Sequence, residues 1–516
     1  MAMQLFPTRP AVHVALAAVL AVAIGMTLRA PAVVAWGGAM IAGLALARAT
    51  AKVAILRLRL AGLEMVWRAE RIERLTRGSE TKLLIELRNR DARPVRYRAA
   101  RAIASWELDA QVEPSYGIIA PGGAARIALT VRATRVGKFC VHGLSLEVRG
   151  YPGFFEVPLA FANPLGIEVL PRPLATLISS ARGGRSRLFA DAGAVAGRPG
   201  AGSELFELRE HVSGDAFKHI AWKASARRGK LLVREFERED RDVVWLVLDA
   251  AAVLLGGSPG RAPLDVGIDQ LAQVARRHLA RGDRVGLAVA GISPRFWLAP
   301  ARGAGHALRI SRALSRGASA LDSDRSDYDE SDVGRRVLDH LRFLDATSVP
   351  PAGERDLDAL GAEADVMRQR APFDEPAPTA PTAREQALRR YLASFGITSP
   401  GRIHEDPRRT TAAMVEALER ALSERPKPSL IYVCARPPEA PGATLAGALR
   451  KLMRRGMSIR WISTHQETTL APADGEVERA VNEAITLRAR VARERGEHVL
   501  GAMGVRFVRR QRRKIA

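Results

Sequence analysis

The chain has 516 residues, little cysteine, few aromatics and a shortage of acid. Two cysteines, Cys140 and Cys434, cannot build a disulfide framework. That excludes a cross-linked secreted scaffold and fits a reducing compartment, where each thiol acts as a small buried apolar group. Aromatics are 5% of the chain and are not interleaved with the basic residues, so no base-stacking surface is expected. The glycines of residues 183–202 do not sit between a strand and a helix, so no phosphate loop is read there, and no cofactor motif is found. Basic residues exceed acids by 79 to 55, a formal net charge of +24. Such a balance favours lipid headgroups, an acidic protein face or nucleic acid. Nucleic acid rests on charge alone, and that attraction vanishes at modest salt.

The chain is too long for one ordinary core, so two or three folded units are expected. It opens on two apolar runs, Ala11 to Leu28 and Ala32 to Ala47, each about 16–18 residues and separated by Arg29-Ala30-Pro31. Backbone groups in lipid must be satisfied internally, so two helices joined by a tight turn are expected, with lipid as a partner. Arg9 precedes the first run, Arg48, Lys52, Arg57 and Arg59 follow the second, and Arg29 alone sits in the turn. The positive-inside bias then places both ends, and the soluble domains, in the cytoplasm and the turn outside. The Arg-rich segment from Arg48 to Arg77 is expected to lie near acidic headgroups.

From about Glu64 to Leu170 the pattern turns strand-like. Lys82 to Arg88 ends at the turn signal Asn89-Arg90-Asp91, Ala125 to Val131 alternates, and Phe139 to Val148 is read as a strand pair broken at His142-Gly143. Short strands at near-regular spacing predict an immunoglobulin-like sandwich, read mainly as a spacer. Residues 183–202, rich in Gly, Ala and Arg, predict a mobile connector.

The most specific stretch is Ser203 to Asp249. It runs Leu208-Arg209-Glu210, Gly214-Asp215, Ile220-Ala221-Trp222-Lys223-Ala224-Ser225-Ala226-Arg227, Leu231-Leu232-Val233-Arg234-Glu235-Phe236-Glu237, then an apolar strand ending at Asp249. Its dense mixture of charged and apolar residues has no clean period and predicts a loop-rich segment held by salt bridges. This ordered string resembles the signature of the domain of unknown function 58 family. It departs at His211, where that family usually has Tyr, and at Ala221, often polar there; Asn163-Pro164-Leu165-Gly166 resembles the family's Asp-Pro turn. The resemblance implies a membrane anchor, a von Willebrand factor type A-like domain and a MoxR-type AAA+ ATPase as partner. The signature or partner-binding residues it points to are Arg209, Asp215, Trp222, Ser225, Arg227, Arg234, Glu235 and Asp249.

Beyond the signature, strands and helices alternate: strand Val243–Asp249, helix Val266 to Arg281, strand Arg284–Ala290, an edge strand at Phe296-Trp297-Leu298 and helix Ala307 to Leu314. After an interruption come strand Leu430–Cys434, helix Ala443 to Arg455, strand Ser458–Ser463 and a last helix from about Gly475 to Arg493. That alternation predicts a doubly wound parallel sheet, whose ligands bind at the carboxyl ends of the strands, where Asp249 lies. A metal loop of the von Willebrand type needs hydroxyls two and four residues after that Asp, and Ala251 and Val253 stand there instead. Arg436 adds a cation, so no metal is expected. The alternative, a divalent-metal-dependent binder or hydrolase centred on Asp249, would show as Mg²⁺ or Mn²⁺ binding lost in Asp249→Ala. Cys434 with His465 suggests a cysteine nucleophile but has no orienting acid or oxyanion loop, and His211, Asp215 and His219, spaced four apart, would align as metal ligands only on a helix that Ser213-Gly214 argues against.

Residues 321–384 interrupt the α/β pattern. Asp322 to Glu330 approaches a calcium loop, but Asp327 occupies the turn-glycine position and Val333 that of the bidentate Glu. With Pro376, Pro378 and Pro381 the segment is read as a poorly ordered acidic linker, helical only around Val333 to Leu344. The expected organisation is a membrane hairpin over 1–60, a sandwich over 61–172, a connector over 173–202, the signature and first half of the head over 203–320, the insert over 321–384 and the second half with a basic tail over 385–516. No catalytic set and no small-molecule site emerge, so the expectation is a non-enzymatic, membrane-anchored interaction protein.

Overall fold

The computed structural model describes residues 5–149, 152–174, 194–212, 215, 217, 220–240, 242–345, 356–464 and 475–508; the side chains of 59–61, 194–207 and 235–240 fall outside that description. It is a mixed α/β protein with two compact units: residues 1–169 with 319–402, and residues 170–318 with 403–516.

A short strand, β1 (Phe6–Pro7), leads into helices α1 (Arg9–Thr27) and α2 (Pro31–Ala61), each with Pro in its first turn. Both have spans long and apolar enough to cross a membrane, and only 22% and 17% of those spans is buried, unlike core helices of a soluble protein. Small residues let the two pack closely. A Cβ on Gly37 would lie 2.8 Å from the Ala18 carbonyl oxygen, and one on Gly25 would lie 2.8 Å from Val34. The second helix runs past its apolar stretch, and Arg57 reaches Asp91 at 3.1 Å.

The next strands are β2 (Leu63–Trp67), β3 (Ile72–Thr76), β4 (Glu80–Asn89), β5 (Val95–Ala104), β6 (Leu108–Glu113), β7 (Gly117–Ile119), β8 (Ala124–Ala133), β9 (Gly137–Arg149) and β10 (Phe155–Leu170). They form two antiparallel sheets, β2-β4-β8-β6 and β1-β10-β9-β5-β7, with β3 also paired to β10. Alternation sets the core: Leu83, Ile85 and Leu87 meet Ile127, Leu129 and Val131, and Val141, Leu144 and Leu146 face them. Two expectations change here. The break at His142-Gly143 is absent, because β9 continues through it with Gly143 pressed against β10. The Asn163 turn is instead a bulge within β10, where the register shifts between Ala162 and Leu165. The Asn163 carbonyl accepts from Trp67 Nε1 at 2.7 Å, and its Nδ2 donates to the Met65 carbonyl at 3.2 Å.

Strands β11 (Ala194–Glu210) and β12 (Leu232–Asp240) flank helix α3 (Trp222–Arg228), so residues 194–202 of the expected connector are strand. The head begins with β13 (Val243–Asp249), α4 (Pro263–Ala280), β14 (Arg284–Ala290), β15 (Pro294–Ala301) and α5 (Ala304–Gly317).

The segment 321–384, read as a poorly ordered linker apart from a helix near Val333 to Leu344, holds that helix as α6 (Glu330–Leu344) and a second, α7 (Leu357–Met367), and its end starts a third, α8 (Ala383–Ser394). Its acids are structural. Asp329 and Asp332 close a capping box on α6, Asp356 caps α7, and Asp322 accepts from the Thr379 amide at 2.8 Å. Val333, Val337, Leu341, Leu360, Leu388, Tyr391 and Phe395 make a core of their own. The buried Arg389 is fully used, on Glu385 at 2.7 Å and on the carbonyls of Leu321 and Tyr328. This layer belongs with the sandwich. Ser105 Oγ donates to the Gly396 carbonyl at 3.0 Å, Trp106 Nε1 to Thr398 Oγ1 at 3.0 Å, Lys138 pairs with Glu375, and His142 meets His340 at 3.0 Å. Gly396 has φ of 61°, and its missing side chain lets β9 come close: a Cβ would lie 2.8 Å from Phe139 backbone.

The head resumes with α9 (Pro407–Ser423), β16 (Leu430–Ala435), α10 (Ala443–Arg454), β17 (Ser458–Ser463), α11 (Glu476–Ala502) and β18 (Arg506–Phe507). The sheet order is β15-β14-β13-β16-β17-β18, parallel except for the antiparallel edge strand β15. Trp245, Val247 and Trp461 pack under Leu418, Leu449 and Leu452 of α9 and α10. Leu248 and Val289 point the other way, beneath Gly267 of α4 and Gly317 of α5. Helices therefore cover both faces, as continuous apolar strands require.

Candidate functional site

The signature stretch folds as an arm with its own two-stranded antiparallel sheet, in register Glu210↔Leu232, Arg209↔Val233, Leu208↔Arg234 and Glu207↔Glu235. The sequence does not announce this pairing, because its charged and apolar residues follow no clean alternation. Between the strands lies the seven-residue helix α3, ended by Gly229 at φ 65°, a left-handed conformation that favours glycine. Ser225 fastens the helix: its hydroxyl accepts from the Leu232 amide at 2.9 Å and donates to the Ala221 carbonyl at 3.0 Å. Backbone bonds from Ala221 to Leu232 and from His211 to Leu231 complete the closure.

Arg209 and Asp215 form a bidentate clamp, with guanidinium–carboxylate distances of 2.8 and 2.6 Å. Asp215 also accepts the Val212 amide at 2.9 Å. The Arg209 bond, then the Val212 bond, hold the Asp215 carboxyl down at about 2. The clamp's stabilisation is therefore present above the ordinary carboxylate value and lost only as pH falls through about 2. Glu210 pairs with Lys230 at 2.8 Å on the open surface.

Of the eight residues picked out by the signature, Arg209, Asp215 and Ser225 build the arm, while Trp222, Arg227 and Arg234 are exposed on it. The Glu235 side chain lies outside the described residues, as do His219 and His465. Asp249 sits elsewhere, at the carboxyl end of β13, where its Oδ1 accepts the Ala251 amide at 3.0 Å and so caps the segment that follows. Cys434, at the end of β16, is fully buried against Gly267. Burial first, and the Asp249 carboxylate second, push its thiol well above the usual range, so it keeps its proton and is a poor nucleophile. Among the described residues no group of three or more His, Cys, Asp or Glu is arranged to hold a metal ion.

Sequence reasoning singled out Trp222 but missed the other exposed apolar members of the arm, Val212, Phe217 and Leu231. Phe217 is 76% exposed, Val212 and Trp222 61% each, and Leu231 50%. Large apolar side chains are thus exposed together on one short segment. Their signal in the sequence was the lack of any period that would bury them.

Solved structures that resemble part of the chain include the PapD-like domain 7 of human CEP192, at 13% identity and TM-score 0.17, covering 21% of this chain and 86% of that one. The Caenorhabditis elegans MSP family member WR4 matches at 5% identity and TM-score 0.15, over 21% of this chain and 94% of that one. The Pseudomonas aeruginosa CupB2 chaperone matches at 16% and 0.14, over 23% and 61%. Likenesses at these TM-scores carry no argument about fold or function. No curated protein matches the chain. Residues 207–336, from the arm through the first half of the head and into α6, match the family described as Protein of unknown function DUF58.

Proposed function

We propose that this chain is a membrane-anchored, non-enzymatic interaction protein. The two N-terminal helices cross a bacterial inner membrane as a hairpin, with both ends and the soluble domains in the cytoplasm. What supports this is their length, their largely unburied apolar surface and the excess of Arg and Lys after the second span. The two-sheet domain, in this reading immunoglobulin-like, acts as a spacer. The head, in this reading a von Willebrand factor type A-like domain whose metal loop has lost two hydroxyls at Ala251 and Val253, docks a cytoplasmic partner. The family resemblance makes a MoxR-type AAA+ ATPase the partner to look for.

One observation carries the docking role. The arm is held by the Arg209–Asp215 clamp and by Ser225, and it leaves Trp222, Arg227 and Arg234 exposed. Trp and Arg dominate the energetics of protein interfaces, and residues fixed in advance lose less entropy on binding. Affinity recovery from solubilised membranes tests this. The wild-type chain is expected to bring down a specific protein and Arg227→Ala to lose most of it. Unchanged recovery of every partner would remove the arm as the docking surface.

A further inference from the structure

Between residues 216 and 234 the sequence has six basic residues, Lys218, Lys223, Arg227, Arg228, Lys230 and Arg234, and no acid. Inside a signature that is otherwise rich in Asp and Glu, such a stretch is a local charge field. The arm's two ion pairs leave it standing. Arg209 is matched by Asp215 and Lys230 by Glu210, while Lys223, Arg227, Arg228 and Arg234 are exposed and pair with no acid whose side chain is described. Among these cations sit the exposed side chains of Phe217, Trp222 and Leu231.

We infer that the arm recognises an acidic protein face, a set of carboxylates around a small apolar seat that receives Trp222. This rests on the reading that the arm docks a protein, and adds the chemistry of what it docks. Three features favour a protein carboxylate surface. Arg supplies three of the four cations that pair with no described acid, and its planar fork suits bidentate carboxylates where Lys offers a point charge. Helix α3 has seven residues, too short to lay a broad apolar stripe into a lipid interface. The aromatics are one Trp and one Phe at separate points, without the successive stacking platforms that single-stranded nucleic acid uses. A central aromatic ringed by charges is how a protein interface combines affinity with steering.

The test places a photoreactive amino acid at the exposed Ala226 of the full chain and irradiates native membranes. The expected result is a protein adduct whose crosslinked peptide is rich in Asp and Glu. Its yield should fall more than about tenfold in the triple variant K223E/R227E/R228E and recover little at any salt. A protein adduct that survives charge reversal, or maps to a neutral or basic peptide, overturns the acidic-face inference while leaving the docking reading intact. Adducts only to lipid or nucleic acid overturn both. Folding of the triple variant is followed independently by hydrogen exchange of the Leu232 amide, which Ser225 protects. Deprotection there would send the test to the single variant R228E, read by the same loss of adduct.

Discussion

Replacing Gly143 by alanine is expected to prevent the β-sandwich from folding. A Cβ at this position would run into the Phe161 carbonyl oxygen and lie 2.9 Å from the carbonyl carbon. Overpacking a core typically costs about 1–3 kcal/mol because side chains give way. Here the obstacle is main chain, and it is pinned. Gly143 pairs with Ala162 on one side and Ile103 on the other, and the bulge after Ala162 is tied down by Trp67 and Met65 through Asn163. Relieving the clash means breaking ladder bonds in the middle of β9 and β10, so a loss beyond about 4 kcal/mol is expected. Equilibrium denaturation of the full chain in detergent checks this. An alanine variant with an unchanged midpoint would mean that β9 and β10 do not pair as described.

Acid is expected to loosen the helical layer from the sandwich before it affects the arm. His142 of β9 and His340 of α6 share a hydrogen bond at 3.0 Å, and His340 Nδ1 meets the Tyr391 hydroxyl at 2.8 Å. Phe343 and Phe395 pack against His340, the positive charge of Arg336 acts on both rings, and Glu363 acts on Tyr391. Two imidazoliums would set N–H donors against each other in this pocket. Burial first, then Arg336, pushes His142 down to about 4, and burial, His142 and Arg336 push His340 well below its ordinary value. The unfolded chain therefore binds more protons between the ordinary histidine value of 6.5 and about 4. Stability is full above 6.5, falls through that window and levels off below it. A shift of this size in His142 alone corresponds to roughly 3 kcal/mol. Carboxylates also titrate at the low end, so the comparison is with the double variant H142N/H340F, whose stability should be flatter from 6.5 to 4. An identical slope in the variant would remove the histidine pair as the cause.

The α/β head was legible because its strands are buried on both faces. Val243–Asp249 and Arg284–Ala290 are continuous apolar runs with little else they could form, and the structure has them with those bounds. The amphipathic α4 also announced itself. The insert was illegible for the opposite reason. Its acids are frequent enough to suggest a solvated linker, yet they are spent on helix caps and turns, and the apolar residues they frame, Val333 to Ile397, are spread over three short helices. Composition averaged over such a segment hides its caps. Helix α9 was overlooked although Asp406-Pro407 is a start signal and Met414, Ala417, Leu418 and Ala421 follow at helical spacing. The arm was found as a sequence signature, and its clamp was foreseen only as salt bridging in general. Pairing of Arg209 with Asp215, six residues on, depends on the backbone turn between them, which no residue pattern specifies.

The most direct measurement is the reactivity of a single thiol at the arm, in Ala226→Cys. Both native cysteines are fully buried, so the new thiol dominates labelling by a membrane-impermeant maleimide. A head that faces the cytoplasm and docks a protein predicts no labelling in intact cells, slow labelling in inside-out native vesicles and fast labelling of the purified chain. Labelling in intact cells, or equal rates in native vesicles and purified protein, would contradict it.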